Sequence, residues 1–245
     1  MNVRTINWYK YASPGHLYRL AGRLVPWFAV PAGILFVMGL YLGLFVAPAD
    51  FQQGDAYRVL FVHVPAAWMG MLLYLLLALY AAVGWIFNAR VSFMMASSLS
   101  ITGAMFTFLS LVTGSLWGRP TWGTWWVWDA RTTSTLILLF LYAGFISLQS
   151  AIEDRKRADR AGTVVALVGV INVPIIYFSV QWWNTLHQGA TLRIANETSM
   201  AGSMLAPLLI MIAACWLYSI AVVLVRLRCL IREREPLGAI TVGAK

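Results

Sequence analysis

Six long stretches without a charged side chain follow one another along the chain, separated by short polar links. The uncharged stretches cover residues 24–49, 59–89, 91–118, 132–152, 161–192 and 198–225. Each is at least as long as the ~20 residues that an α-helix needs to cross a hydrocarbon core of ~30 Å. Because lipid offers no hydrogen bonds to a bare backbone, such stretches must be helical. The pattern predicts an all-α integral membrane protein, with residues 1–245 forming a single six-transmembrane-helix bundle whose spans lie near 26–47, 64–87, 93–116, 133–151, 162–182 and 203–225.

Composition and charge agree with this class and orient the bundle. Of the 245 residues 60% are hydrophobic and 11% are charged, whereas soluble domains are about 25% charged. Fourteen of the 18 Lys and Arg residues fall in the two terminal segments and in the links after the second and fourth spans. The positive-inside rule makes that side cytoplasmic, so both the N and C termini are expected in the cytoplasm. The net charge of +9 therefore indicates contact with anionic membrane lipid and no nucleic-acid partner.

The link between the third and fourth spans, residues 117–131, is the most unusual part of the sequence, and we call it the Trp-rich segment. It holds five of the 12 tryptophans: Trp117, Trp122, Trp125, Trp126 and Trp128. Tryptophans at a membrane interface often serve only as anchors, but five in one link exceed that need. Gly118, Pro120 and Gly123 are expected to break any regular helix across the start of the segment. If the later part is helical, its indoles share one side and could stack on a flat ligand.

Two histidines flank the Trp-rich segment in the neighbouring outer links. His63 opens the second span, and His187 follows the fifth. A lone interfacial histidine is more often satisfied by water or backbone, but two at one depth beside the Trp-rich segment favour a ligand site. A neutral imidazole is a good axial ligand for haem iron. We therefore expect His63 and His187 to be the metal ligands.

The outer links also contain the charged groups that an anionic planar ligand would meet. Arginine pairs well with carboxylates such as haem propionates, and each outer arginine is either such a partner or a solvated loop charge. Asp129 is expected to orient a histidine or to fix the loop. The outer arginines are Arg58, Arg119, Arg131 and Arg193.

The pattern Trp117-Gly118, Pro120, Trp122-Gly123, Trp125-Trp126, Trp128-Asp129 and Arg131 resembles the tryptophan-rich signature of the haem-handling proteins of cytochrome c maturation. Six spans with one histidine in each flanking outer link narrow the resemblance to the CcmC family, over essentially the whole chain. One departure is Thr132, which stands where the signature usually has leucine. We expect it to alter packing more than ligand binding.

The resemblance implies that haem b is held at the periplasmic face of the bacterial inner membrane and presented to the haem chaperone CcmE. It further implies a complex with the CcmA, CcmB and CcmD subunits, in which this chain is a transfer subunit without an ATPase site and is not an enzyme. The alternative is a bis-histidine b-type cytochrome that anchors an electron-transfer complex. Its haem would lie between histidines within the helices, whereas both candidates here are expected at helix ends or in loops.

Overall fold

The structure is a computed structural model, and it describes residues 13–183, 185–187 and 200–236. Six helical segments are long and apolar enough to cross a membrane, which confirms the predicted six-helix membrane protein. The helices are α1 (Pro14–Tyr41), α2 (Leu60–Phe87), α3 (Arg90–Trp122), α4 (Ala130–Ala151), α5 (Arg155–Gly169), α6 (Asn172–Trp182) and α7 (Gly202–Arg234). A π-helical turn at Leu42–Val46 extends α1, and a 3-10 turn at Asp55–Val59 leads into α2.

The fifth predicted span is built from two helices, α5 and α6. The chain turns at Val170 and Ile171, and α6 begins with Asn172. Pro174 therefore lies in the first turn of α6, where a missing backbone N–H costs little because first-turn N–H groups have no intrahelical partner. The break between the two helices thus falls just before this proline.

Several buried hydroxyls in the core are paired either across two helices or within one helix. In the core, the hydroxyl of Tyr142 on α4 donates to the Gly70 carbonyl of α2 at 2.8 Å. Helices α2 and α3 pack along each other, as do α1 and α7. The buried hydroxyls of Ser98, Thr107 and Ser110 donate to carbonyls three or four residues back in α3. Each of these hydroxyls therefore has a hydrogen-bond partner in its own helix, and none of the three is exposed to lipid.

The Trp-rich segment differs from the sequence expectation at both of its ends. Helix α3 continues through Gly118 and Pro120 and ends at Trp122, where Gly123 takes a left-handed φ of 76°. The expected break before Trp122 is therefore wrong. Pro120 lies on the exposed side of the last turn, and the Thr121 hydroxyl donates to the Trp117 carbonyl at 2.7 Å, so the turn holds despite the missing amide. The later part, from Gly123 to Asp129, is not helical.

Asp129 restarts the helical structure. It is the N-cap of α4, and its Oδ1 accepts a hydrogen bond from the Thr132 amide at 2.8 Å. Asp154 caps α5 in the same way, accepting from the Arg157 amide at 2.9 Å. Alternation of the helices then places the start of α2, the end of α3, the start of α4 and the end of α6 at one end of the bundle.

Candidate functional site

A cavity lies at the end of the bundle where α2, α3, α4 and α6 meet. The empty space at this site is about 690 Å³, a figure that includes solvent at its open mouth. Its lining combines apolar and small residues, such as Ala67, Gly70 and Leu138, with polar and aromatic ones. The polar and aromatic lining residues are His63, Thr107, Ser110, Ser115, Trp122, Trp126, Arg131, Thr132, Thr135 and His187.

His63 lies in the first turn of α2 and points toward α3. Its Nδ1 is 3.0 Å from the Ser110 carbonyl oxygen and 3.1 Å from the Thr113 Oγ1. The Thr113 hydroxyl proton is directed elsewhere, since it donates to the Leu109 carbonyl at 2.7 Å. Both neighbours are therefore acceptors, and Nδ1 of His63 carries the proton. The edge of the Trp117 ring, 5.7 Å away between centroids, packs against the imidazole.

His187 follows α6 and is held by the Trp-rich segment. Its Nδ1 is 2.7 Å from Oδ2 of Asp129, and its ring meets Trp122 edge to face at a centroid distance of 4.7 Å. Both side chains of the pair are largely buried, with 16% of His187 and 7% of Asp129 exposed. Asp129 thus uses one carboxylate oxygen to cap α4 and the other to orient His187.

The protonation states of this pair follow from its surroundings. Burial lowers the pKa of His187, and the hydrogen bond and charge of Asp129, which act in the opposite direction, do not offset it. Burial alone would raise the pKa of Asp129, but the hydrogen bonds from Thr132 and His187 outweigh it and hold that pKa below its usual value. The pair at neutral pH is therefore a neutral imidazole donating to a carboxylate, which is the form that binds metals.

The two histidines share one chemical arrangement. In each, Nδ1 donates to an oxygen acceptor, which leaves the Nε2 lone pair as the available metal ligand. In the described part of the chain, no three His, Cys, Asp or Glu side chains come together as a metal-ion site requires. Two imidazoles on one cavity suit an ion that brings its own remaining ligands, as the iron of a porphyrin does.

The tryptophans of the Trp-rich segment divide into three groups. Trp122 and Trp126 line the cavity, whereas Trp117 lies behind His63 and donates its Nε1 proton to Gln53 at 2.8 Å. Trp125 and Trp128 are outside the cavity wall, with 56% and 74% of their surfaces exposed. The indole Nε1 of Trp126 is buried and has no hydrogen-bond partner among the described residues, so the cavity wall contains an unused donor.

The candidate arginines are also separated. Arg131 lines the cavity and contacts α6 through long hydrogen bonds of 3.3 Å to the Ser179 hydroxyl and 3.3 Å to the Tyr177 carbonyl. Arg58 is bound instead to Asp55 and the Gly43 carbonyl, and Arg119 donates to the Gly123 carbonyl. Neither is among the lining residues. Arg193 lies outside the described residues.

Sequence reasoning did not identify several residues of the site, including the two hydrogen-bond acceptors of His63. Ser110 and Thr113, the acceptors of His63, appear in the sequence only as small polar residues within an apolar span. The sequence signal that could have indicated them is their three-residue spacing, which puts both side chains on one face of α3. Thr132 was expected to affect packing, yet it lines the cavity and donates its amide to Asp129.

The fold and the cavity together define a multi-pass membrane protein with a two-histidine pocket walled by tryptophans at one end of its bundle. Comparison with known proteins gives a specific family. Residues 7–239 match the family model described as heme exporter protein C, and the chain belongs to that family.

Individual relatives agree along nearly the full length. Heme exporter protein C of Escherichia coli (strain K12) is 44% identical over 231 residues, 93% of each chain. The protein of the same name in Haemophilus influenzae is 44% identical over 218 residues, 89% of each chain. A putative cytochrome c biosynthesis ccmC-like mitochondrial protein of Marchantia polymorpha is 43% identical over 180 residues, covering 74% of this chain and 76% of that one. These similarities establish haem handling in cytochrome c maturation, as part of a transport or transfer system, and confirm the family that the sequence resembles.

Proposed function

We propose that this protein binds haem b in the two-histidine cavity and presents it to the haem chaperone CcmE at the periplasmic face of the bacterial inner membrane. The observation that supports this most is the paired geometry of His63 and His187. Both rings line one cavity with Nδ1 engaged and Nε2 available as a ligand. An electron-transfer anchor is less compatible with a cavity that opens at the end of the bundle.

The other cavity residues fit a porphyrin with two propionates. Trp122 and Trp126 provide flat apolar walls for the ring, and the unpartnered Nε1 of Trp126 can donate to an anionic edge. Arg131 is the described outer arginine that lines the cavity, so it is our candidate for pairing with a propionate. Bound haem would supply an iron with room for nitrogen ligands. His63 and His187 would provide those ligands, and the chain holds each imidazole in one tautomer.

The exposed tryptophans, Trp125 and Trp128, would contact a partner protein beside the cavity. Trp128 packs edge to face against Trp126 at a centroid distance of 5.4 Å, so it connects the cavity wall with the surface. In the proposed orientation, the opposite end of the bundle lies in the cytoplasm with both termini. CcmA would then supply ATP hydrolysis to the complex, and CcmB and CcmD would complete it.

Transfer from purified components tests the proposal. We expect haem-loaded wild-type protein in lipid nanodiscs to pass haem to CcmE, and His63→Ala and His187→Ala variants to fail. His63 and His187 lie in the cavity, whereas His16 lies near the start of α1 at the other end of the bundle, so His16→Ala is the matched control and should transfer normally. Normal transfer by both cavity variants would refute the proposal.

A further inference from the structure

The two histidines donate to acceptors of different chemical strength. His187 donates to the Asp129 carboxylate at 2.7 Å, and Asp129 is held in turn by the Thr132 amide at 2.8 Å. His63 donates to neutral oxygens, the Ser110 carbonyl at 3.0 Å and the Thr113 hydroxyl at 3.1 Å. The contacts at His187 are shorter, and its acceptor carries a full negative charge.

This difference has a direct effect on the opposite ring nitrogen. A carboxylate that accepts the Nδ1 proton draws it away from the ring and makes Nε2 a more basic ligand. Charge-assisted hydrogen bonds are also roughly twice as strong as neutral ones. His63 lacks such a partner, because its acceptors are a helix carbonyl already used in α3 and a hydroxyl. Nε2 of His187 is therefore the stronger base of the two.

The packing around His63 constrains it further. A Cβ added at Gly114 would lie 3.0 Å from the His63 Cε1 atom, so α3 approaches the ring as closely as a glycine allows. The ring is thus positioned by backbone and by Thr113, with little freedom to follow an iron that moves.

We propose that the two histidines are unequal iron ligands: His187 is the retained ligand, His63 is the exchangeable one, and Thr113 is the positioning residue of His63. This inference rests on the proposed function. In the exchange, Nε2 of His63 would release the iron and keep its electron pair. An incoming Lewis base would donate its own pair in its place, so no oxidant or reductant would be required and the Nδ1 proton would stay on His63.

Carbon monoxide bound to the reduced, haem-loaded, full-length protein tests which histidine leaves. The Fe–CO stretching frequency reports the base that remains opposite the gas. If His63 leaves, Asp129→Asn shifts this frequency because the remaining ligand, His187, loses its carboxylate acceptor. Thr113→Val leaves the frequency at the wild-type value but raises the carbon monoxide affinity by a few-fold, since His63 has lost one acceptor. Thr113→Ser should restore the wild-type affinity.

Thr102 provides the matched control. Its hydroxyl is buried on the same helix, with 2% of the residue exposed, and it contacts neither histidine in the described structure. Thr102→Val should change neither the frequency nor the affinity. A frequency shift in Thr113→Val with none in Asp129→Asn would overturn the assignment, because it would show that His63 is retained.

A second pair of variants covers the case in which Asp129→Asn does not retain haem. We expect His63→Gly to keep haem through His187, with a spectrum restored to low spin by added imidazole, and His187→Gly to lose most of its haem. The reverse order of retention would also overturn the assignment. Wild-type protein that shows no two-histidine haem at all would instead refute the proposed function itself, so the two failures can be told apart.

Discussion

Asp129 has two separable tasks, and two substitutions at this position divide them. One oxygen caps α4 and the other receives the His187 proton at 2.7 Å. Asparagine keeps one side-chain oxygen for the cap, and it caps helices about as well as aspartate. It replaces the second oxygen, which accepts the imidazole proton, with an NH2 donor, so it removes both the charge and the acceptor behind His187. Alanine removes the cap as well as the acceptor. The prediction is that both variants lose haem affinity, while only alanine also loses the cap.

The expected magnitudes follow from these contacts. Loss of a carboxylate partner behind a metal-bound histidine lowers metal affinity by about 10–100-fold, and we expect a fall in this range for both variants. Loss of the charge-assisted hydrogen bond from His187 costs about 1.5–3 kcal/mol of folding free energy in both variants. Alanine should cost about 1 kcal/mol more, the usual effect of removing an N-cap.

Haem affinity is measured by transfer to an excess of a haem-free acceptor protein, and stability by thermal unfolding of the haem-free protein in detergent. Asp154 is the control, because it caps α5 without contacting a histidine. Asp154→Ala should weaken the start of α5 and leave haem affinity unchanged. Wild-type haem affinity in Asp129→Asn would refute the role assigned to the carboxylate.

Three further predictions concern packing and charge. Gly114→Ala places a Cβ 3.0 Å from His63 Cε1 and should displace the imidazole ring. The absorption spectrum of the bound haem would report this displacement. Gly144→Ala is the control, because no atom lies within 4 Å of its Cβ, and it should leave that spectrum unchanged. Gly103→Ala places a Cβ against the Tyr142 hydroxyl oxygen and should lower the free energy of unfolding by about 1–3 kcal/mol. Denaturant unfolding that matches wild type would contradict the packing described. Arg131→Gln should reduce haem affinity more than Arg58→Gln, because only Arg131 of the two lines the cavity, and equal losses would count against its pairing with a propionate.

The six spans could be predicted from the sequence because their signal is local. An uncharged run longer than about 20 residues has one stable solution in lipid, the helix. The interruption between α5 and α6 has a weaker signal, since the prolines at positions 31, 174 and 207 look alike in sequence. Proline at 31 lies inside an unbroken helix, as does proline at 207, whereas Pro174 follows a break.

The site could be predicted only as a set of candidates. The sequence predicted His63, His187 and the Trp-rich segment as parts of one site, because their residue types suit haem and all lie on the predicted outer side. The structure places both histidines in one cavity with Trp122 and Trp126. Which indoles line the cavity depends on where α3 ends, and Gly123 in the left-handed region decides that. The partner of His63 comes from α3, 50 residues away in the chain, and no local pattern specifies such a contact.

The most direct single measurement is the low-temperature electron paramagnetic resonance spectrum of the purified, oxidised, haem-loaded protein. Iron held between His63 and His187 predicts one low-spin ferric signal of the two-imidazole type, replaced by a high-spin signal or lost when either histidine is changed to alanine. A wild-type spectrum without that signal, or one unchanged in both variants, would contradict the assignment of these two residues as the haem ligands.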